Sequence, residues 1–176
     1  ATLCDEVYIT DYQSKFTIPV IKASRGETRN MIYPYDKNGN AFSEEQLKQD
    51  GKVYGQLLKN KSRLAKRNND KAAQQCWYAY GRSQAIGDTY KNKVAMNAMI
   101  RTTDDLKLVD APSGTGVYGG LYLVAEPDIL KAAKKALEDT DFQEYVSLLG
   151  KYKSGGYYTF SSKDVKTYLD YKIAKQ

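Results

Sequence analysis

Arg82, Ser83 and Gln84 are the side chains of this sequence with the chemistry to read another molecule. An arginine presents two donors to a guanine edge or to a phosphate, and a glutamine can pair with an adenine edge. The three follow the aromatic cluster Trp77-Tyr78-Ala79-Tyr80 and Gly81, a residue that lets a loop bend sharply. The competing role for Arg82 is to brace that loop by donating to backbone carbonyls, and spacing favours neither role. A second set is defined by charge. Lys48, Lys52, Lys59, Lys61, Arg63, Lys66, Arg67 and Lys71 share a stretch whose acids are Asp50 and Asp70. Within it Lys59, Lys61, Arg63, Lys66 and Arg67 are the candidates for phosphate contact. A third set is Lys151-Tyr152-Lys153 running into Gly155-Gly156-Tyr157-Tyr158. Here Lys151 and Lys153 are phosphate candidates. Tyr80, Gly81, Gly155, Gly156, Tyr157 and Tyr158 are candidates for stacking or for shaping loops. Cations interleaved with aromatics and glycines suit a polyanion with exposed bases. The bland alternative is a solvated helix face over a tyrosine-rich core.

Other chemistries are excluded by composition. The chain has no histidine, so no Ser–His or Cys–His nucleophile pair and no His-ligated zinc or haem is available. Cys4 and Cys76 are too few for a four-cysteine metal site. They are read as two free buried thiols of a cytoplasmic protein in preference to a disulfide. The glycine run Gly114–Gly120 lacks the Gly-Lys-Ser/Thr ending of a phosphate loop and precedes a strand, so it reads as a turn. Asp104-Asp105 and Asp139-Thr140-Asp141 read as surface acids at turns and helix starts, and no metal site is expected.

These residues need a scaffold. A length of 176 residues with a net charge of +6 fits one domain. No apolar run approaches the roughly 18 residues of a membrane helix. Strands are expected at Leu3–Thr10, at Phe16–Lys22 with Pro19 marking an edge or a bulge, and at Thr28–Tyr33. Ser43 with Gln46 has the capping-box spacing, so a helix should follow, broken near Gly51 and running on to Arg67. Trp77–Tyr80 reads as a short strand, Lys93–Arg101 and Leu106–Val109 as two more, and Val117–Ala125 as one buried strand. Pro127 opens a helix, a second ends at Gly150, and Ser161 with Asp164 caps a last one. The expected fold class is α+β, with mixed strands in the first two-thirds and helices clustered at the C-terminal end.

Three segments occur in order: Ala-Thr-Leu-Cys-Asp-Glu-Val-Tyr-Ile at the start, Trp77-Tyr78-Ala79-Tyr80-Gly81-Arg82-Ser83-Gln84, and Gly155-Gly156-Tyr157-Tyr158-Thr159-Phe160-Ser161. Together with Ile21–Ser24 and Ile32–Asp36 they resemble the C-terminal region of bacterial type II restriction–modification N6-adenine DNA methyltransferases of the TaqI-like kind. In that family the N-terminal domain binds S-adenosylmethionine and carries Asn-Pro-Pro-Tyr, while the C-terminal domain recognises the DNA target. Tyr33-Pro34-Tyr35 lacks the asparagine and one proline of that motif and is not a catalytic site. The resemblance therefore implies that residues 1–176 form a single DNA target-recognition domain. It would be a C-terminal fragment of a longer cytoplasmic enzyme, inactive alone and without a cofactor of its own. Its partners would be double-stranded DNA and the N-terminal catalytic domain of the same chain. Two other classes compete. A restriction nuclease subunit would need a carboxylate cluster with a lysine beside a metal, which Glu27 and Glu45-Gln46-Leu47-Lys48 do not supply convincingly. A protein-binding module would display its tyrosines as a contact surface.

Overall fold

The computed structural model describes residues 6–66, 76–81 and 85–174. Strands β1 (Ile9–Thr10), β2 (Thr17–Lys22) and β3 (Glu27–Ile32) are followed by three short helices, α1 (Glu44–Lys48), α2 (Gly51–Lys59) and α3 (Lys61–Ala65). Then come β4 (Lys93–Met96), β5 (Met99–Ile100), β6 (Leu108–Ala111), β7 (Gly116–Tyr118) and β8 (Leu121–Val124). The chain ends with α4 (Pro127–Leu137), α5 (Thr140–Leu148), the hairpin strands β9 (Tyr152–Lys153) and β10 (Tyr157–Thr159), and α6 (Ser162–Ile173). The first sheet has the order β1-β3-β2-β7, antiparallel except for the parallel β2–β7 pair. The second, β6-β4-β8, and the third, β5-β10-β9, are antiparallel throughout. The fold is α+β, as its sequence pattern implies.

Helix starts follow side-chain chemistry. Ser43 and Gln46 form the expected capping box at α1, Asp50 accepts from the amides of Lys52 and Val53 to start α2, and Ser161 with Asp164 caps α6. Gly150, in the left-handed region at φ +65°, stops the chain after α5.

Several strand expectations are corrected. Pro19 sits in β2, the strand between β3 and β7, where it pairs with Asn30 without a bulge. Phe16 O accepts from Tyr33 N, and the alternation that follows turns Pro19 N away from β3. Pairing with β7 begins only at Val20, so the missing donor costs no ladder bond. In place of a strand from Leu3 to Thr10, the described part has a 3-10 turn at Glu6–Tyr8 and the two-residue β1. Trp77–Tyr80 is a turn and not a strand, because its aromatic rings fill the core instead of lining a pleat. The apolar alternation of Lys93–Arg101 is split into β4 and β5 by Asn97, whose buried amide donates to Met99 O and Asp105 O and accepts from Lys107 N. Val117–Ala125 is likewise two strands in two sheets. Gly119 (φ +69°) turns the chain, and at Gly120 a Cβ would lie 2.6 Å from both the Cβ of Ala23 and Met96 O. Only a residue without a side chain passes there.

Two large cores and a small one between the sheets hold this together. The N-terminal core buries Tyr8, Tyr33, Tyr35, Trp77, Tyr78, Tyr80 and Tyr118 beside Leu47, Val53, Leu57 and Leu64 of the helices. Tyr8, Tyr78 and Tyr80 are bonded as well as packed, whereas the buried hydroxyls of Tyr33 and Tyr118 have no hydrogen-bond partner among the described residues. Tyr8 Oη donates to Tyr78 O (3.1 Å) and Ala79 O (2.9 Å), and Tyr78 Oη donates to Phe42 O (2.6 Å). These hydroxyls satisfy loop carbonyls that would otherwise be buried unpaired. The C-terminal core packs α4, α5 and α6 against Met96, Ile100 and Phe160.

Candidate nucleic-acid interface

Helices α2 and α3 are fixed from below. Val53, Leu57 and Leu64 enter the N-terminal core, and Gln56 Nε2 donates to Val7 O (3.0 Å) and Ile9 O (2.9 Å). That anchoring sets the outer face. Lys52, Lys59, Lys61, Arg63 and Lys66 are all exposed, and the segment Gly51–Lys66 contains no Asp or Glu. Lys59 and Lys66 have no ion-pair partner among the described residues. Lys61 Nζ lies 4.8 Å from the centre of the Trp77 ring, a cation–π contact at the edge of the core. Some lysines elsewhere are matched: Lys48 pairs with Glu45, Lys91 with Asp88, Lys134 with Asp110 and Lys166 with Asp170. A surface rich in cations draws a polyanion and releases it in salt, and here the nearest acids are Glu44, close to Lys61, and the capping Asp50, close to Lys52.

Arg67, Arg82, Ser83 and Gln84 lie outside the described residues. The flanks of the Arg82–Gln84 segment are firmly held. Tyr80 Oη donates to Ile32 O and Tyr80 N donates to Tyr35 Oη (2.7 Å), while Ala85 and Ile86 are buried. Tyr80 is therefore withdrawn as a stacking candidate, since its ring packs edge-on against Tyr8, Tyr33 and Tyr35 and is only 5% exposed. Gly81, beside it, is exposed. Downstream, Lys93 is buried, and its ammonium donates to the carbonyls of Asp88, Thr89 and Lys91 at 2.7–3.0 Å. Burial pushes its pKa down to about 8, against the opposing pull of the Asp88 carboxylate. Tyr122 Oη donates to Asp88 Oδ2 (2.9 Å) on the same loop. Sequence reasoning missed both Lys93 and Tyr122, because a lysine at a strand start looks like any surface cation.

The third set occupies the β9–β10 hairpin. Gly155 and Gly156 both have φ +78°, which makes the turn a glycine position twice over. Lys153 is exposed without an ion-pair partner among the described residues. Lys151 is different: its ammonium meets Asp164 Oδ2 at 2.6 Å and ties the hairpin to the cap of α6, so its charge is already matched. Lys151 and the capping bonds from Ser161 hold the Asp164 carboxyl down at about 2. Tyr157 is half-buried under the Arg101 guanidinium, 4.9 Å from the ring centre, and Tyr158 packs on Tyr152 at 5.0 Å. This hairpin rests on the C-terminal core and α2–α3 on the N-terminal one, so the structure does not merge the two basic sets into one helix face.

Several of the acids weighed for a metal or nuclease role are tied to cations. Asp105 is held well below the usual carboxylate range by Arg101, which contacts both its oxygens at 3.1 Å, and Lys172 pairs with Asp139 and Asp141. Glu45 pairs with Lys48 and Glu27 with Arg29. Among the described residues no group of acids, cysteines or histidines is placed to hold a metal. Cys76 is free and half-buried, and Cys4 lies outside the described residues. The glycine run Gly114–Gly120 sits between strands β6, β7 and β8 and opens no helix, so it does not fit the pyrophosphate or methionine end of a nucleotide cofactor. No helix among the described residues is long and apolar enough to cross a membrane. No family model matches the chain, and a comparison with curated proteins finds no match.

Proposed function

We propose that this chain recognises a target sequence in double-stranded DNA, as the recognition half of an adenine-N6 methyltransferase of a bacterial restriction–modification system. The observation that carries the reading is the α2–α3 face, with five exposed cations and no acid from Gly51 to Lys66. Phosphate contacts from such a face supply affinity but no sequence information. Sequence reading is assigned to Arg82, Ser83 and Gln84, which lie between the buried, hydrogen-bonded Tyr80 with the exposed Gly81 on one side and the buried Ala85 and Ile86 on the other.

S-adenosylmethionine and the methyl transfer belong, in this reading, to the N-terminal catalytic domain in the cytoplasm. An enzyme that extrudes an adenine needs a second surface to hold the remaining duplex. The tyrosine-contact alternative loses its main support, since six of the tyrosines it would display are buried in the N-terminal core.

The test is a panel of duplexes differing by single base pairs, titrated with the 176-residue chain and with Arg82→Ala. The parent chain should prefer one sequence, and the variant should lose about tenfold or more of that preference at one base pair, from the roughly 1–3 kcal/mol of a bidentate contact. Its melting temperature should be unchanged. A lower melting temperature with equal losses on every duplex would make Arg82 a brace for its loop.

A further inference from the structure

A groove of about 460 Å³ opens where the three sheets diverge. It is lined by Ser24 and Gly119, by Met99, Tyr157 and Thr159 of the third sheet, and by the exposed Lys107 and Lys153. The two lysines come from segments more than forty residues apart, and neither has an ion-pair partner among the described residues.

The walls are fixed by a chain of polar contacts. Asn97 donates to Met99 O (2.8 Å) and Asp105 O (2.9 Å) and accepts from Lys107 N (2.8 Å), so one side chain sets both β5 and the start of the Lys107 segment. Asp105 receives two bonds from the Arg101 side chain and one from its amide (2.8 Å). Arg101 in turn lies over the Tyr157 ring. The acid in the groove is thus neutralised, the ring is held, and Lys107 and Lys153 are left as its unmatched charge among the described residues.

We propose that this groove binds one nucleotide of a DNA strand, with the phosphate between Lys107 and Lys153 and the base against the Tyr157 ring. The proposal rests on the DNA-recognition reading above and adds a second contact region to it. The volume is that of a small-ligand site and exceeds what a lone phosphate fills. Two unmatched cations call for an anion, and a half-buried tyrosine beside the exposed Met99 offers a flat apolar surface for a base. A pinned ring and a pinned loop offer this without ordering on binding.

Fluorescence anisotropy with the 176-residue chain tests it, using a labelled duplex at several salt concentrations and deoxyadenosine monophosphate as competitor. Lys107→Gln with Lys153→Gln should lower the magnitude of the log–log salt slope by about 2. The control pair Lys135→Gln with Lys163→Gln, on the outer faces of α4 and α6, should leave it unchanged. Tyr157→Ala should weaken binding by about fivefold or more, whereas Tyr157→Phe should retain it. Tyr157→Phe also guards against misfolding of the alanine variant, because it keeps the ring under Arg101. Duplex binding indifferent to the groove lysines but dependent on the α2–α3 lysines would overturn this inference and leave the parent reading standing. Competition by the mononucleotide with no groove effect on duplex binding would reassign the groove to a free nucleotide and overturn it too. Absence of any duplex binding by the unmodified chain would remove both.

Discussion

At the scale of single residues, the structure separates side chains that look alike in sequence. Tyr80 and Tyr157 both lie in aromatic-glycine segments, yet one is bonded inside the core and the other faces a groove. Tyr80→Phe leaves Ile32 O without its donor and should cost about 1–2 kcal/mol by chemical denaturation, with duplex affinity unchanged. A loss of DNA affinity without a loss of stability would return Tyr80 to the stacking set. Lys151 and Lys153 are a similar pair, one matched by Asp164 and one open to solvent. Lys93 shows why such roles are not legible beforehand. Its partners are the carbonyls of Asp88, Thr89 and Lys91, and a backbone carbonyl leaves no mark in a sequence. The capping pairs Ser43–Gln46 and Ser161–Asp164 are legible for the opposite reason, because both partners are side chains at a fixed local spacing.

At the scale of elements, two junctions set the site. Gly120 lets the chain leave the first sheet for the second, close against Ala23 and Met96 O. Gly120→Ala should destabilise the fold by about 2 kcal/mol or more, since one of its 2.6 Å neighbours is backbone and cannot rotate away. A variant as stable as its parent would show that the crossing is looser than described. The sequence expectation of one strand over Val117–Ala125 failed here because an apolar run has the same pattern whether it stays in one sheet or changes sheets. The second junction joins the hairpin to α6 through Lys151 and Asp164. Asp164 is ordinary in the unfolded chain, at 3.8, and is held at about 2 in the fold, so its contribution is complete above about pH 4. That contribution is lost as the pH falls toward 2, because the unfolded chain then binds the proton more readily. With the partner lysine half-exposed, the effect should be about 1–2 kcal/mol, and Asp164→Asn should flatten the stability profile in that window. An unchanged acid limb in the variant would remove this bridge from the account.

At the scale of the whole molecule, the excess charge is unevenly placed. Lys48, Lys134 and Lys166 are ion-paired along or across elements, while the segment Gly51–Lys66 contributes five exposed cations and no acid of its own. The α+β class, the helix after Ser43 and the C-terminal helices were legible from periodicity and caps. The groove was not, because Asn97, Lys107, Lys153 and Tyr157 come together only through the packing of three sheets. The central claim, that the α2–α3 face holds the phosphate backbone of duplex DNA, is tested most directly by one titration series. The affinity of the 176-residue chain for a labelled duplex is measured over a range of salt concentrations, alone and as Lys59→Ala with Lys61→Ala and Lys66→Ala. The triple variant should bind every duplex more weakly, with the log–log salt slope smaller in magnitude by about 3, nearly one for each lost contact. A slope identical to that of the parent chain would contradict the claim and leave that face as solvated surface.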